Sequence, residues 1–172
     1  MAATYTPIAT NTLSSNVTSL IFTGISGSYT HLVLACNFKS LGAGYGLGIA
    51  INETSLTAYN YMFQYLMGPG SGAGFGYGVA GNAQAAWGTM YNGAATGSFD
   101  ATGIIQFPFY ANASYVKSIN YRTGSSDYYE ATSGWGTKNN TAAITSIRIS
   151  PDAWGTRTSF ATGSTFTLYG VA

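Results

Sequence analysis

Side chains that alternate in character every second residue, cut at short intervals by turn formers, constrain this chain more than any other feature. In the C-terminal stretch Thr141 to Ala172, Ile147 and Ile149 lie two apart, and so do Phe166 and Leu168. That is the period of a strand with one face on a core and the other in water. Between these two strands, Ser150-Pro151-Asp152, Gly155-Thr156 and Thr162-Gly163-Ser164 supply turn residues, and Pro151 has no N–H for a continuing ladder. Thr165 to Gly170 is therefore expected to zip into a sheet that earlier strands have built, and its removal is expected to be costly.

The same period recurs upstream. Residues 1 to 18, with Pro7 and a polar Thr/Asn/Ser run, read as an extended arm of the kind that lies across a neighbouring subunit, and Ser19 to Thr23 begins a short strand. Leu32, Leu34, Cys36 and Phe38 share one face of the next. Leu47, Ile49 and Ile51 alternate with Gly46, Gly48 and Ala50, which leaves a second face almost bare and open to a loop, a partner or a ligand. Tyr59, Tyr61, Phe63, Tyr65 and Met67 form the strongest aromatic alternation, read as core and cross-strand pairing ahead of a ligand platform. Gly68 to Gly81 is so rich in glycine that a long functional or mobile loop is expected there. Strands are expected again over Gln84 to Tyr91, over Ser98 to Phe109 with Ile105, Phe107 and Phe109 alternating and Pro108 marking an edge or an end, through Tyr115, Lys117, Ile119 and Tyr121, and over Tyr128 to Trp135. No stretch has a helical period. About nine or ten short strands at regular spacing predict an all-β chain: a single antiparallel β-sandwich, jelly-roll-like, spanning residues 19–172, with an extended N-terminal arm over residues 1–18.

Composition decides what such a sandwich is equipped to do. A chain of 172 residues buries roughly 70% of the surface its unfolded form exposes, enough for one core without staples. So much Gly and Ser suggests disorder, but disordered chains lack this density of aromatic and β-branched residues. Charged residues make up 6% of the sequence and the net charge is +1, with no cluster of Lys or Arg, so a surface that tracks nucleic-acid phosphates is not expected. Little self-repulsion keeps copies apart, which favours association into a homo-oligomer or among fixed neighbours. Nothing in the N-terminal residues resembles a signal peptide, and no run approaches the length of a membrane span, so no membrane partner is expected.

Catalytic chemistry has few candidates. His31 is the only histidine, and at the start of a core strand it reads as a structural residue rather than the base of a Ser-His-Asp arrangement. Among the five carboxylates only Asp127 and Glu130 are near in sequence, and they read as solvated surface with Arg122. No Cys/His cluster suits zinc, no dense acidic loop suits calcium, and the G-x-G patterns are not followed by a helix that could hold a phosphate. Neither catalytic residues nor a cofactor are expected. The single Cys36 rules out an internal disulfide and reads as a buried, inert thiol. Asn16, Asn52, Asn112 and Asn139 match the glycosylation pattern, at a frequency that chance explains in so Asn- and Thr-rich a chain. Interaction is the remaining class. Trp87, Trp135 and Trp154 each stand beside Gly in turn-rich sequence, where an indole either anchors the core or meets a sugar ring or a partner's apolar patch. Tyr5 and Pro7 are the corresponding candidates on the arm.

Several stretches, namely Tyr5-Thr6-Pro7-Ile8-Ala9-Thr10, Ile21-Phe22-Thr23-Gly24-Ile25 followed by Tyr29-Thr30-His31-Leu32, Ile49-Ala50-Ile51-Asn52 with Tyr59-Asn60-Tyr61, Phe107 to Asn112, Ala143 to Ile147, and Gly163 to Gly170, together cover nearly the whole chain. In them the sequence resembles small β-sandwich virion structural proteins and fibre-tip domains of tailed bacteriophages. The resemblance rests on core and turn positions and carries no catalytic motif. It departs from the family pattern at Gly42 to Gly48 and Gly68 to Gly81, which are richer in glycine here. It implies a place on a phage particle, bound to capsid or tail structural proteins. A decoration or cement protein on the capsid is favoured over a tail fibre that recognises host glycans, because a compact domain with an arm suits docking on a lattice.

Overall fold

A computed structural model describes residues 4–41, 47–52, 60–66, 73–78, 99–125, 130–138, 141–151 and 159–172. Twelve strands are described: β1 Tyr5–Thr12, β2 Leu20–Phe22, β3 His31–Leu41, β4 Gly48–Ile51, β5 Asn60–Leu66, β6 Ala73–Gly78, β7 Phe99–Pro108, β8 Lys117–Ser125, β9 Glu130–Lys138, β10 Ile147–Ser150, β11 Ser159–Phe160 and β12 Thr165–Val171. No helix occurs among the described residues. The strands form two antiparallel sheets, one in the order β1-β12-β3-β7-β8-β9-β5-β6 with β11 also on β3, the other in the order β2-β10-β4. The described residues thus form an all-β fold of two antiparallel sheets, consistent with a β-sandwich in which the first and last strands are neighbours.

Alternation builds the core. Leu32, Leu34, Cys36 and Phe38 of β3 face inward, and the register places Ile105 and Phe107 of β7, then Tyr121 and Ile119 of β8, in the same rows. The small sheet closes over them with Phe22, Ile49, Ile51, Ile147 and Ile149, all buried. Beneath the far end of β3, Phe38, Phe160 and Phe166 pack as a trio with ring centroids 4.9 to 5.8 Å apart. Gly170 has no side chain because the ring of Tyr29 lies against it, 2.4 Å from where a Cβ would stand.

The expected C-terminal strand is present and sits deeper than an edge. β12 pairs β3 over seven residues and β1 over another seven. β11 continues the same side of β3 through Ser159↔Leu41 and Phe160↔Ser40. The turn between β11 and β12 uses Gly163 at φ 87 and is tied by the buried Ser164, whose hydroxyl donates to the Ala161 carbonyl at 2.7 Å and accepts from the Lys39 N–H at 3.1 Å.

Two expectations change. The N-terminal segment is extended, but it lies on the chain's own sheet: β1 runs along β12, the Leu13 N–H donates to the Ser164 carbonyl while the Leu13 carbonyl accepts from the Gly163 N–H, and Val17 bridges Phe160. Its Thr residues explain this, since Thr10 and Thr12 hydrogen-bond Thr167 and Thr165 across the pair, both at 3.1 Å. The Gly-rich stretch is not all loop, because Ala73–Gly78 is a strand paired with β5, with Gly74, Gly76 and Gly78 opposite Tyr65, Phe63 and Tyr61. The strand expected over Gln84 to Tyr91 lies outside the described residues.

Three of the Asn residues that match the glycosylation pattern hold turns. Asn16 Oδ1 accepts from the Thr162 N–H and Asn112 Oδ1 from the Ser114 N–H. Asn52 does most: at φ 55 it ends β4, its Oδ1 accepts from the Thr145 and Ser146 N–H groups at 2.8 and 3.2 Å, and its Nδ2 donates to the Ala143 carbonyl at 2.7 Å. Asn tolerates this left-handed backbone better than other side chains. Asn52→Ala therefore loses both the conformational ease and the clamp, at a cost of about 2 to 3 kcal/mol. Asn52→Gly restores the ease and loses only the clamp. Urea unfolding of both variants separates the terms, and a glycine variant no more stable than the alanine one contradicts the backbone contribution.

Candidate functional site

At the end of the large sheet where β1 begins and β12 finishes, the face turned away from the core carries a shallow pocket of about 250 Å3. Four strands and the C-terminal end of β12 supply its lining. Tyr5, Val171, His31 and Pro108 follow one another in one cross-strand row, and Leu32, Val33, Gln106 and Asn120 complete the lining. Strand parity puts them there: Leu32 and Leu34 point inward, so Val33 points out, and the register brings Val33 opposite Gln106 and Gln106 opposite Asn120. Among the described residues, no Lys, Arg, Asp or Glu lines the pocket.

His31 is held by its neighbours. Its Nδ1 accepts the Phe109 N–H at 3.2 Å, and the Phe109 ring meets the imidazole edge to face at 4.8 Å. With Nδ1 an acceptor, the ring proton sits on Nε2, which becomes a donor. The structural role expected for His31 agrees with this geometry, and its place on a pocket wall adds to it.

Phe109 departs from the expectation that it shares the core face of Ile105 and Phe107. β7 ends at Pro108, Phe109 turns to φ 47, and the alternation breaks, so Phe109 is 48% exposed and Tyr110 is buried instead. The Tyr110 hydroxyl donates to the Ser26 carbonyl and accepts from the Tyr29 N–H, while the Tyr110 carbonyl accepts from the Ile144 N–H at 2.9 Å. Burial pushes the Tyr110 phenol above its ordinary range, against a lowering by the hydrogen bond from Tyr29. Tyr115, expected within a strand, is also exposed, with its ring 5.5 Å from that of Phe109, and Val116 is exposed beside it. Under this apolar tip the buried Lys117 ammonium donates to the Asn112 and Tyr115 carbonyls, and burial lowers its pKa. Tip and pocket meet through the contact between His31 and Phe109.

The expected interaction residues fall unevenly around this end. Tyr5 is 55% exposed, lines the pocket and sets its ring edge to face against Tyr169 at 6.0 Å. Pro7 is exposed on β1 at an irregularity in the pairing, without lining the pocket. The backbone of Trp135 occupies the position in β9 opposite Asn120 and opposite Met62 of β5. Trp87, Trp154 and Asp127 lie outside the described residues. The sequence reading missed Gln106 and Asn120, because one outward amide on each of two strands looks like any solvated position until the strands are paired.

No protein-family model, curated protein or solved structure matches the chain. Chemistry at this end must therefore be read from its own side chains. Among the described residues no three of His, Cys, Asp and Glu gather as metal ligands, and no helix is long and apolar enough to cross a membrane. The lining offers amides, an imidazole N–H and aromatic surface, which suit recognition of a neutral, hydroxyl-bearing partner.

Cys36 lies on the core face of β3 with its Sγ 3.5 Å from the Gly103 carbonyl, and burial pushes its thiol from 9.0 up to about 12. Because the folded value is raised, the stabilisation is whole below pH 9.0 and is lost as pH climbs through that window, where the unfolded chain ionises first. Tyr110 acts in the same direction and Lys117 in the opposite one. Comparing Cys36→Ala with the parent isolates the thiol: the variant is expected to show a shallower fall in unfolding free energy over this range, and equal slopes contradict the burial. A thiol reagent is likewise expected to label Cys36 only after unfolding.

Proposed function

We propose that the chain is a non-enzymatic structural protein of a tailed-bacteriophage virion, docking on the capsid surface as a decoration or cement protein and acting as an oligomer among fixed neighbours. The observation that carries this reading is the apolar tip of Phe109, Tyr115 and Val116, exposed at the end of a sandwich whose sequence holds 6% charged residues. Exposed aromatic groups fixed by buried hydrogen bonds lose little entropy when a partner covers them. A near-neutral surface adds no long-range repulsion between adjacent subunits. The likeness to phage β-sandwich proteins in Tyr5 to Thr10, Phe107 to Asn112 and Gly163 to Gly170 points the same way.

Reconstitution tests it. Particles made without the chain are expected to take up the purified protein to a fixed stoichiometry and to recover resistance to heat, and the double variant Phe109→Ser/Tyr115→Ser is expected to bind far less. Particles that ignore the wild-type protein contradict the reading. A second reading, a tail-fibre or receptor-binding domain that recognises host glycans, is favoured by the neutral pocket beside the tip. A glycan array with Trp135→Ala tests whether the register row that continues from Asn120 takes part.

A further inference from the structure

We infer that the pocket bounded by Tyr5, His31, Gln106 and Asn120 is a subsite for one neutral pyranose ring. The inference deepens the glycan reading by fixing its site and ligand class, and it does not depend on whether the chain sits on a capsid or a tail.

Its lining excludes the other ligand classes in turn. Among the described lining residues, an anionic ligand such as a phosphate or a carboxylated sugar finds no Lys or Arg, and a cationic one finds no carboxylate. A wholly apolar ligand would strip water from two amides and leave their donors and acceptors without partners. Gln106 and Asn120 stand directly opposite each other in the β7 and β8 register, so their amides are neighbours in one cross-strand row. Each amide offers a carbonyl acceptor and an N–H2 donor, a pattern that answers adjacent hydroxyl groups, which donate and accept alike. The imidazole of His31, with Nδ1 occupied by the Phe109 N–H, adds a donor at Nε2 in the next cross-strand row.

Apolar contact is supplied from the sides. Tyr5 presents an exposed ring, and Val33, Pro108 and Val171 give aliphatic surface. A pyranose has this combination, with hydroxyls at its rim and a face of C–H groups that rests on an aromatic ring. The volume of about 250 Å3 lies below the roughly 300 to 1,000 Å3 of sites for drug-sized ligands, so the pocket suits a single ring or the end of a longer glycan. One such site binds weakly. Repeated over many copies on a particle, weak sites combine into firm attachment through effective concentration.

The test uses the full chain and a panel of glucose, galactose, mannose, N-acetylglucosamine and N-acetylgalactosamine, with glucuronate as the charged control. In 1H–15N spectra, at least one neutral sugar at about 50 mM is expected to shift the side-chain amide signals of Gln106 and Asn120 and to saturate with a Kd of the order of millimolar. Gln106→Ala and Asn120→Ala are each expected to weaken that sugar about tenfold, as loss of a buried hydrogen-bond partner does. Both side chains are exposed, so the variants keep the fold, and the same spectra report it. No shift with any sugar overturns the inference. So does binding that survives the double variant Gln106→Ala/Asn120→Ala, or glucuronate binding as tightly as the neutral sugars. A chain that assembles on particles but ignores every sugar removes the pocket alone, whereas a sugar-binding chain never found in particles removes the virion reading alone.

Discussion

A chain that stops after Ser164 is expected to yield no folded protein. Ending there removes β12, which stands between β1 and β3 in the large sheet. β1 would lose its described sheet partner and β3 one of its two long ones, leaving their N–H and C=O groups without a ladder. The loss also takes Phe166 and Leu168 from the core, both fully buried, and opens the small sheet's floor. Net stabilities of about 5 to 15 kcal/mol do not survive the loss of a central strand. Circular dichroism and one-dimensional proton spectra decide it, the expected result being no dispersed methyl signals and no cooperative melting. A truncated chain that still melts cooperatively contradicts the central position of β12.

Phe166→Ala is the point substitution with the largest expected cost, about 3 to 5 kcal/mol. Phe166 is fully buried, stacks on Phe38 at 5.8 Å and meets Phe160 at 4.9 Å. Those partners come from β3 and β11, on rigid paired strands, so the vacated volume cannot collapse and the cavity adds to the lost burial. Phe166→Leu refills most of the space and is expected to cost much less, about 1 kcal/mol. Chemical unfolding of the three proteins measures both steps. Equal costs for the two variants contradict the cavity contribution.

Legibility from the sequence followed side-chain contrast. β10 and β12 are readable because Ile147/Ile149 and Phe166/Leu168 alternate with polar or amphipathic neighbours, and β3 because Leu32, Leu34, Cys36 and Phe38 repeat large or soft apolar groups at every second position; the structure buries each of these residues. β1 was not readable as a sheet strand, since its outward Thr10 and Thr12 bond to Thr residues of β12 and leave no apolar period to detect. β11 is two residues long, too short for a period of two to show. Phe109 misled because a period of two continues on paper through Pro108, whereas the positive φ at Phe109 reverses which residue enters the core. The candidate site was the least legible part. Its lining takes one to three residues from each of five strands, and of these the sequence singles out Tyr5, as an interaction candidate on the arm, and His31, as a structural residue. Gln106 and Asn120 acquire meaning through the register that sets them side by side.

Quantitative mass spectrometry of particles purified from cultures whose genomes encode this chain tests the proposed virion role most directly. Copies well above about a dozen per particle, in a fixed ratio to the capsid protein, are the expected result, since closed lattices repeat their surface subunits many times. A count below that moves the chain to the tail, and its absence from infectious particles contradicts the structural role.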